Sequence, residues 1–87
     1  MVYEEECQAA QIDPRAVQSI ASRIERAALD AARLGIQIFG GSGSGTLRFD
    51  GRDGQGALIL ADMQGNWSGG DGACGPAADG LMRGETI

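Results

Sequence analysis

The stretch from Asp13 to Gly35, DPRAVQSIASRIERAALDAARLG, decides the fold because it contains the start and stop signals of one long helix. Asp is a preferred N-cap because its carboxylate accepts from the free N–H groups of the first turn. Pro suits the first helical position because its missing N–H would have been unpaired there. Gly is the usual left-handed residue after a helix. These signals predict a main helix over residues 13–34, in which the helical part from Pro14 to Leu34 is about 31 Å long.

The same stretch has one apolar stripe. Its members recur at steps of three and four residues, which places them on one helix face; they are Val17, Ile20, Ile24, Ala27 or Ala28, and Ala31. The many alanines give this face a low profile, which suits close packing on a sheet. Residues 3–11 predict a short preceding helix.

Glycine is absent before Gly35, and all fifteen glycines lie at or after it. Gly lowers helix stability by about 1 kcal/mol relative to Ala but supplies the positive φ angles of tight turns. Between the turns lie short runs typical of antiparallel strands, at residues 36–39, 46–49 and 57–61, with a fourth short strand expected around 66–68.

The sequence therefore predicts a single α+β domain over residues 1–87. One long helix packs on a small antiparallel sheet of three to four strands within residues 35–70. Residues 77–87 offer little to bury and predict a mobile tail.

The run from Ala57 to Ala61 is apolar at every position, so both of its faces are apolar. A small sheet with one helix can cover only one face. We expect a homodimer that covers the other face through Leu58 and Leu60. The alternative is that the N-terminal segment folds across it.

The charge balance restricts the partners. Seven Arg and twelve acidic residues give a net charge of −5, which disfavours direct binding to nucleic acid or to an anionic membrane and favours a basic protein surface. The longest apolar run is too short to span a bilayer, and the acidic N-terminus is unlike a signal peptide. We expect a soluble cytoplasmic protein.

The missing residue types restrict the chemistry. The chain has no Lys and no His, which excludes imidazole proton transfer, Schiff bases, a P-loop lysine and His-containing metal sites. Two distant cysteines, Cys7 and Cys74, are too few for a disulfide framework or a zinc site. Free thiols are the simplest state, with an intrachain bridge or a disulfide across a dimer left open. We expect no catalytic residues, no metal and no cofactor.

The hexad Gly40 to Gly45 has the glycine spacing of a P-loop, but Thr46 stands where Lys is required and a strand follows instead of a helix. A hairpin loop is the expected role. The alternative is that its backbone N–H groups bind a nucleotide or another anion, assisted by Arg48 or Arg52.

Asp-Gly pairs occur four times, at Asp50, Asp53, Asp71 and Asp79, yet no window has the spacing of a calcium loop. Turn formation explains these pairs without a metal. Residues 7–20 can be overlaid on a helix-turn-helix. Glu4, Glu5, Glu6 and Asp13 would repel phosphate there, so DNA binding is disfavoured.

Trp67, the only tryptophan, stands among glycines. It either plugs the open end of the sheet or anchors an interface, since Trp is enriched among binding hot spots. The acidic strand ends and loops near it would complement an Arg- or Lys-rich partner. The expected partner-binding residues are Asp50, Asp53, Asp62, Trp67 and Asp71.

In size, acidity, lack of catalytic groups and compact α+β plan, the chain resembles the small phage-encoded anti-CRISPR proteins. That resemblance implies a stoichiometric inhibitor in the host cytoplasm. Its acidic surface would occupy the nucleic-acid-binding face of a CRISPR effector complex, as a DNA mimic does. The alternatives are an oligomer that sequesters a nucleotide signal through its Gly-rich loops and Arg48, and a phage protein with no inhibitory role.

Overall fold

The computed structural model describes residues 1–70 and 72–84. The chain forms two compact units where the sequence predicts one domain: unit 1 comprises Met1–Glu25 and Asp71–Ile87, and unit 2 comprises Arg26–Gly70. The α+β class is confirmed. The elements in chain order are α1 (Glu4–Ala10), α2 (Pro14–Arg33), β1 (Gln37–Gly40), β2 (Gly45–Asp50), β3 (Ala57–Met63), β4 (Cys74–Pro76) and β5 (Met82–Gly84).

The main helix α2 runs from Pro14 to Arg33, one residue shorter at each end than the predicted range 13–34. Asp13 Oδ1 accepts from the backbone N–H of Arg15 at 2.9 Å, which is the expected N-cap bond. At the other end Gly35 has a φ of 71°, and the N–H of Ile36 donates to the carbonyl of Ala31 at 2.8 Å. This is the Schellman arrangement, which satisfies a carbonyl that the helix leaves free.

In the apolar stripe of α2, Ala31 near the C-terminal end is buried and Val17 near the N-terminal end is half-buried, while the stripe residues between them are exposed. Ala31 is 8% exposed, whereas Ile20 and Ile24 are 50% and 55% exposed. Only the last turns of the helix belong to the unit that contains the sheet. Ile20 and Ile24 are therefore not buried, as the predicted packing of the whole stripe would require.

Unit 2 is built on an antiparallel sheet with the strand order β1-β2-β3. The β2–β3 pairing contains a bulge, because Leu47 is opposite Ala61 while Arg48 is opposite Ile59. Leu60 has no partner on β2 as a result. A bulge bends the strand and interrupts the strict alternation that would place Leu58 and Leu60 on one face.

Unit 1 has structure that the sequence did not predict. β4 and β5 form a hairpin, so the predicted mobile tail from residue 77 instead contains a turn and β5 as far as Gly84. Residues 85–87 lie outside the described part of the chain. The expected strand around residues 66–68 is absent, and that segment is irregular. α1 confirms the predicted short helix.

One long-range hydrogen bond joins α1 to this hairpin. Glu6 Oε2 accepts from the backbone N–H of Met82 at 2.6 Å. Met82 is opposite Pro76, while the neighbouring N–H of Ala77 donates to the Leu81 carbonyl. Because successive N–H groups of a strand point to opposite sides, the Met82 N–H points away from β4 and needs another acceptor. Glu6 supplies it.

The cap of α2 gives the first prediction. Asp13→Ala removes the acceptor of the first turn and should lower the free energy of unfolding by about 1 kcal/mol. Urea denaturation measures the change. Asp13→Asn is the matched control, because it keeps the capping oxygen but loses the exposed ion pair with Arg15. An unchanged midpoint in Asp13→Ala would contradict the role of the cap.

The β4–β5 turn gives a pH prediction. The Arg83 side chain donates hydrogen bonds to the Asp79 carboxylate, and this lowers the pKa of Asp79 below its usual 3.8. A carboxyl whose pKa is depressed by folding stabilises the fold above its unfolded pKa, and the contribution is lost as the pH falls through the folded value. The stability difference between the natural protein and Asp79→Asn should therefore be constant near neutral pH and should shrink below about pH 4. A constant difference down to pH 2 would contradict this linkage.

Candidate functional site

The two units differ sharply in charge. Unit 2 contains four acidic and four basic side chains and is neutral. Unit 1 contains eight acidic and three basic side chains, so it accounts for the entire net charge of −5. An acidic surface that attracts a basic partner is therefore expected in unit 1.

Helix α1 concentrates this charge, with Glu4, Glu5 and Glu6 in its first turn. Carboxylates there are favoured by the helix dipole, which explains their presence in purely structural terms. Glu6 is half-buried, and its carboxylate accepts a hydrogen bond from the backbone N–H of Met82. Glu4 and Glu5 are exposed and form no ion pair with the residues that the structure describes. They are free to meet a cation.

An apolar groove of about 250 Å³ lies beside the same helix. Its lining residues are Met1, Val2, Tyr3, Glu6, Cys7, Ala10, Ile12 and Val17. Cys7 is 8% exposed at this site, while Tyr3 and Ile12 are about half exposed. Ligand pockets for larger molecules begin at about 300 Å³, and a cavity of about 150 Å³ holds benzene. The groove therefore suits one or two apolar side chains of a partner.

Two carboxylates of the predicted acidic site, Asp50 and Asp53, already accept hydrogen bonds within their own turns. Asp50 Oδ1 accepts from the N–H of Arg52, and Asp53 Oδ1 accepts from that of Gln55, each at 3.0 Å. Both are Asx turns, as the turn interpretation of the Asp-Gly pairs predicts. Within residues 1–70 and 72–84, no three or more His, Cys, Asp or Glu side chains are grouped so that they could hold a metal.

Of the other two predicted acidic residues, the structure describes only Asp62. Asp62 lies on β3 opposite Thr46, and Asp71 lies outside the described residues. Arg52 lies in the β2–β3 loop, between Asp50 at the end of β2 and Asp53 in the loop. Binding of a partner by these carboxylates stays a prediction.

The glycine hexad forms the β1–β2 hairpin loop, as expected. Its Gly41 N–H donates to the Ser44 carbonyl at 2.8 Å, and the Gly43 N–H donates to the Trp67 carbonyl at 2.9 Å. Two of the donors that an anion would need are therefore used inside the protein. Arg48, the proposed helper, lies over the Phe39 ring at 4.1 Å from its centroid.

The position of the Trp67 ring explains why residues 40 and 45 are glycine. A Cβ atom on Gly45 would lie 2.6 Å from Cε2 of the indole, and one on Gly40 would lie 3.4 Å from Cε3. The ring thus rests on the backbone of the hairpin, as the plug interpretation predicts. Its Nε1 is buried and has no hydrogen-bond partner among the described residues. A role as an interface anchor stays a prediction.

The cysteines are free, as expected: Cys7 is buried and Cys74 is exposed. The two residues predicted for dimer formation, Leu58 and Leu60, are 53% and 50% exposed. They are thus available for self-association.

No protein-family model matches the chain, and comparison with curated proteins and with solved structures gives no significant match. Over residues 1–70 and 72–84, no helix combines the length and the apolarity that crossing a bilayer requires.

Sequence reasoning missed the groove and the contact of Glu6 with Met82. Glu6 and Met82 are 76 positions apart, and nothing in either local sequence signals the other. The acidic run at residues 4–6 was visible, but only the division into units shows that it dominates the charge of one unit.

The packing of Trp67 gives a prediction. In Gly45→Ala the added methyl group must displace the indole, which should lower the free energy of unfolding by about 1–3 kcal/mol and shift Trp fluorescence to longer wavelength. Gly75→Ala is the control, because a Cβ there meets nothing within 4 Å. Equal stability and equal spectra for the two variants would contradict this packing.

Proposed function

We propose that this protein is a non-enzymatic binding protein that holds a basic segment of a partner against α1. The observation that carries the proposal is that α1 lines an apolar groove and also has the exposed carboxylates of Glu4 and Glu5 in its first turn, in the unit that has the whole net charge. Arg or Lys side chains of the partner would meet these carboxylates, and an apolar side chain would enter the groove.

The two parts of this surface would act on different steps of binding. Exposed carboxylates attract a basic surface over about 10 Å at 0.1 M salt, so they act on the association rate. Each exposed pair contributes only about 0–1 kcal/mol to affinity. The groove would therefore supply most of the affinity, because a buried apolar anchor acts on the dissociation rate.

In its specific form, the proposal is that the protein inhibits a complex that binds nucleic acid. Basic channels that hold phosphates are the natural partners of closely spaced carboxylates. The resemblance to anti-CRISPR proteins supports a CRISPR effector as the target. Asp50, Asp53, Asp62, Asp71 and Trp67 would form a second contact region, and the homodimer would be the working form.

Charge variants test the role of α1 against a purified CRISPR effector complex. The double variant Glu4→Gln, Glu5→Gln should associate roughly tenfold more slowly at low salt, and the difference should fall as salt is added. The comparison variant is Asp50→Asn, Asp53→Asn, which removes two charges from the proposed second contact region, should slow association less, and keeps the oxygens that accept in the turns. Association kinetics by surface plasmon resonance measure both.

A larger effect in the Asp50, Asp53 variant would move the site to the strand-end loops. No binding to the effector would reject the inhibitor form of the proposal. Calorimetric titration with cyclic and linear nucleotides then tests the small-molecule alternative.

Filling the groove tests its role separately. Ala10→Phe places a ring among the lining residues and should raise the dissociation rate with little change in association. Ala9→Phe is the control, since Ala9 is on the same helix but does not line this groove. Equal dissociation rates for the two variants would show that the groove is not used.

A further inference from the structure

Strand β3 is an edge strand with an unusual composition. It pairs with β2 on one side, and no other strand pairs with it in the part of the chain that the structure describes. Its seven residues, ALILADM, contain one charge, Asp62, and neither Lys nor Pro. Lys and other charged side chains, Pro and bulges are the usual means by which an edge is protected against pairing with another chain, and β3 has only one charge and one bulge.

The centre of β3 is apolar on both faces and uncovered. Leu58, Ile59 and Leu60 are 53%, 54% and 50% exposed. The bulge at Leu60 twists the strand locally, but Ala57, Leu58 and Ile59 keep a regular register with β2. A regular, apolar stretch whose outer backbone groups are paired with no other described strand is a template for another strand.

The opposite edge of the sheet is a poorer template. β1 has only four residues, Gln37–Gly40. The ring of Phe39 is stacked by Arg48, whose Nε also donates to Thr46 Oγ1 at 2.8 Å. β3 has seven residues, so it is longer than β1, and none of its residues takes part in the contacts of Arg48 with Phe39 and Thr46.

Charge favours a second copy of this chain as the occupant. Two chains of net charge −5 repel each other, but their repulsion is least where the contacting parts are neutral. Unit 2, which contains β3, has equal numbers of acidic and basic side chains. A strongly acidic or basic partner would gain no electrostatic attraction there.

We propose that two copies pair through β3 in antiparallel orientation, so that two three-stranded sheets become one sheet of six strands. A two-fold axis makes a strand pair with its own copy antiparallel, with the same residues contributed from both sides. Each copy places Leu58, Ile59 and Leu60 beside those of the other. Asp62 lies near the end of the strand, so the two Asp62 side chains stand at opposite ends of the pair.

Disulfide cross-linking tests the pairing directly. In a Cys74→Ser background, cysteine is introduced singly by Leu58→Cys, Ile59→Cys or Leu60→Cys, and the protein is oxidised at micromolar concentration. Neighbouring strands bring Cα atoms within the 4.4–6.8 Å that a disulfide spans, so at least one variant should form a covalent dimer. Ile38→Cys on β1 is the control and should stay monomeric on a denaturing gel.

Light scattering supplies the second measurement. The natural protein should have twice the 9.0 kDa mass of one chain, and Ile59→Lys should have the mass of one chain with an unchanged circular dichroism spectrum. If Ile59→Lys fails to fold, the cross-linking result decides. A natural protein that is monomeric at micromolar concentration would overturn the proposal, as would cross-linking through Ile38→Cys alone.

These outcomes are distinguishable from failure of the proposed function. Loss of the dimer leaves Glu4, Glu5 and the groove unchanged, because they belong to unit 1. Conversely, Glu4→Gln, Glu5→Gln should leave the mass measured by light scattering at twice that of one chain.

Discussion

The structure depends on how little apolar surface this chain buries by itself. Among the described residues, only Cys7 and Ala31 are apolar residues with less than a tenth of their surface exposed. Small domains already bury a smaller share of their surface than large ones, and their stability is correspondingly slight. Local interactions therefore determine much of the architecture: the caps of α2, the Asx turns and the hairpins. The apolar residues that remain half exposed on α2 and β3 are the places where another molecule can add stability.

Because local interactions determine much of the architecture and little apolar surface is buried, the parts of the fold that have local signals could be predicted. The ends of α2 depend on Asp13, Pro14 and Gly35. These residues act on their immediate neighbours, so the sequence alone was sufficient to predict where the helix begins and ends to within one residue. The three strands of unit 2 follow from short apolar runs between glycines in the same way. The β4–β5 hairpin was missed because its strands are three residues each and contain Gly75, Gly84 and Pro76, which are poor strand formers. Its link to Glu6 spans most of the chain and leaves no local pattern.

The candidate site shows the same limit in another form. Acidic residues could be counted from the sequence, but their use depends on what surrounds them. Asp50 and Asp53 look available in the sequence, yet each already accepts a backbone N–H in its own turn. Glu6 was grouped with Glu4 and Glu5, yet it alone serves the hairpin. A groove formed by Tyr3, Cys7 and Val17 requires the arrangement of two helices, which periodicity alone does not give.

The separation of charge between the units bears on how one small chain could serve two kinds of contact. A chain with its carboxylates spread evenly would oppose its own dimerisation wherever two copies met, and mutual repulsion would weaken as salt rose. Here the apolar strand lies in the unit whose acidic and basic side chains are equal in number, while the excess of carboxylates lies in the other unit. Self-association through β3 should then depend weakly on ionic strength, because apolar burial and backbone hydrogen bonds are hardly screened. Attraction of a basic partner should depend on it strongly, because exposed charges interact over a Debye length that shortens from about 10 Å at 0.1 M to about 3 Å at 1 M. The two contacts can therefore be distinguished by their response to salt.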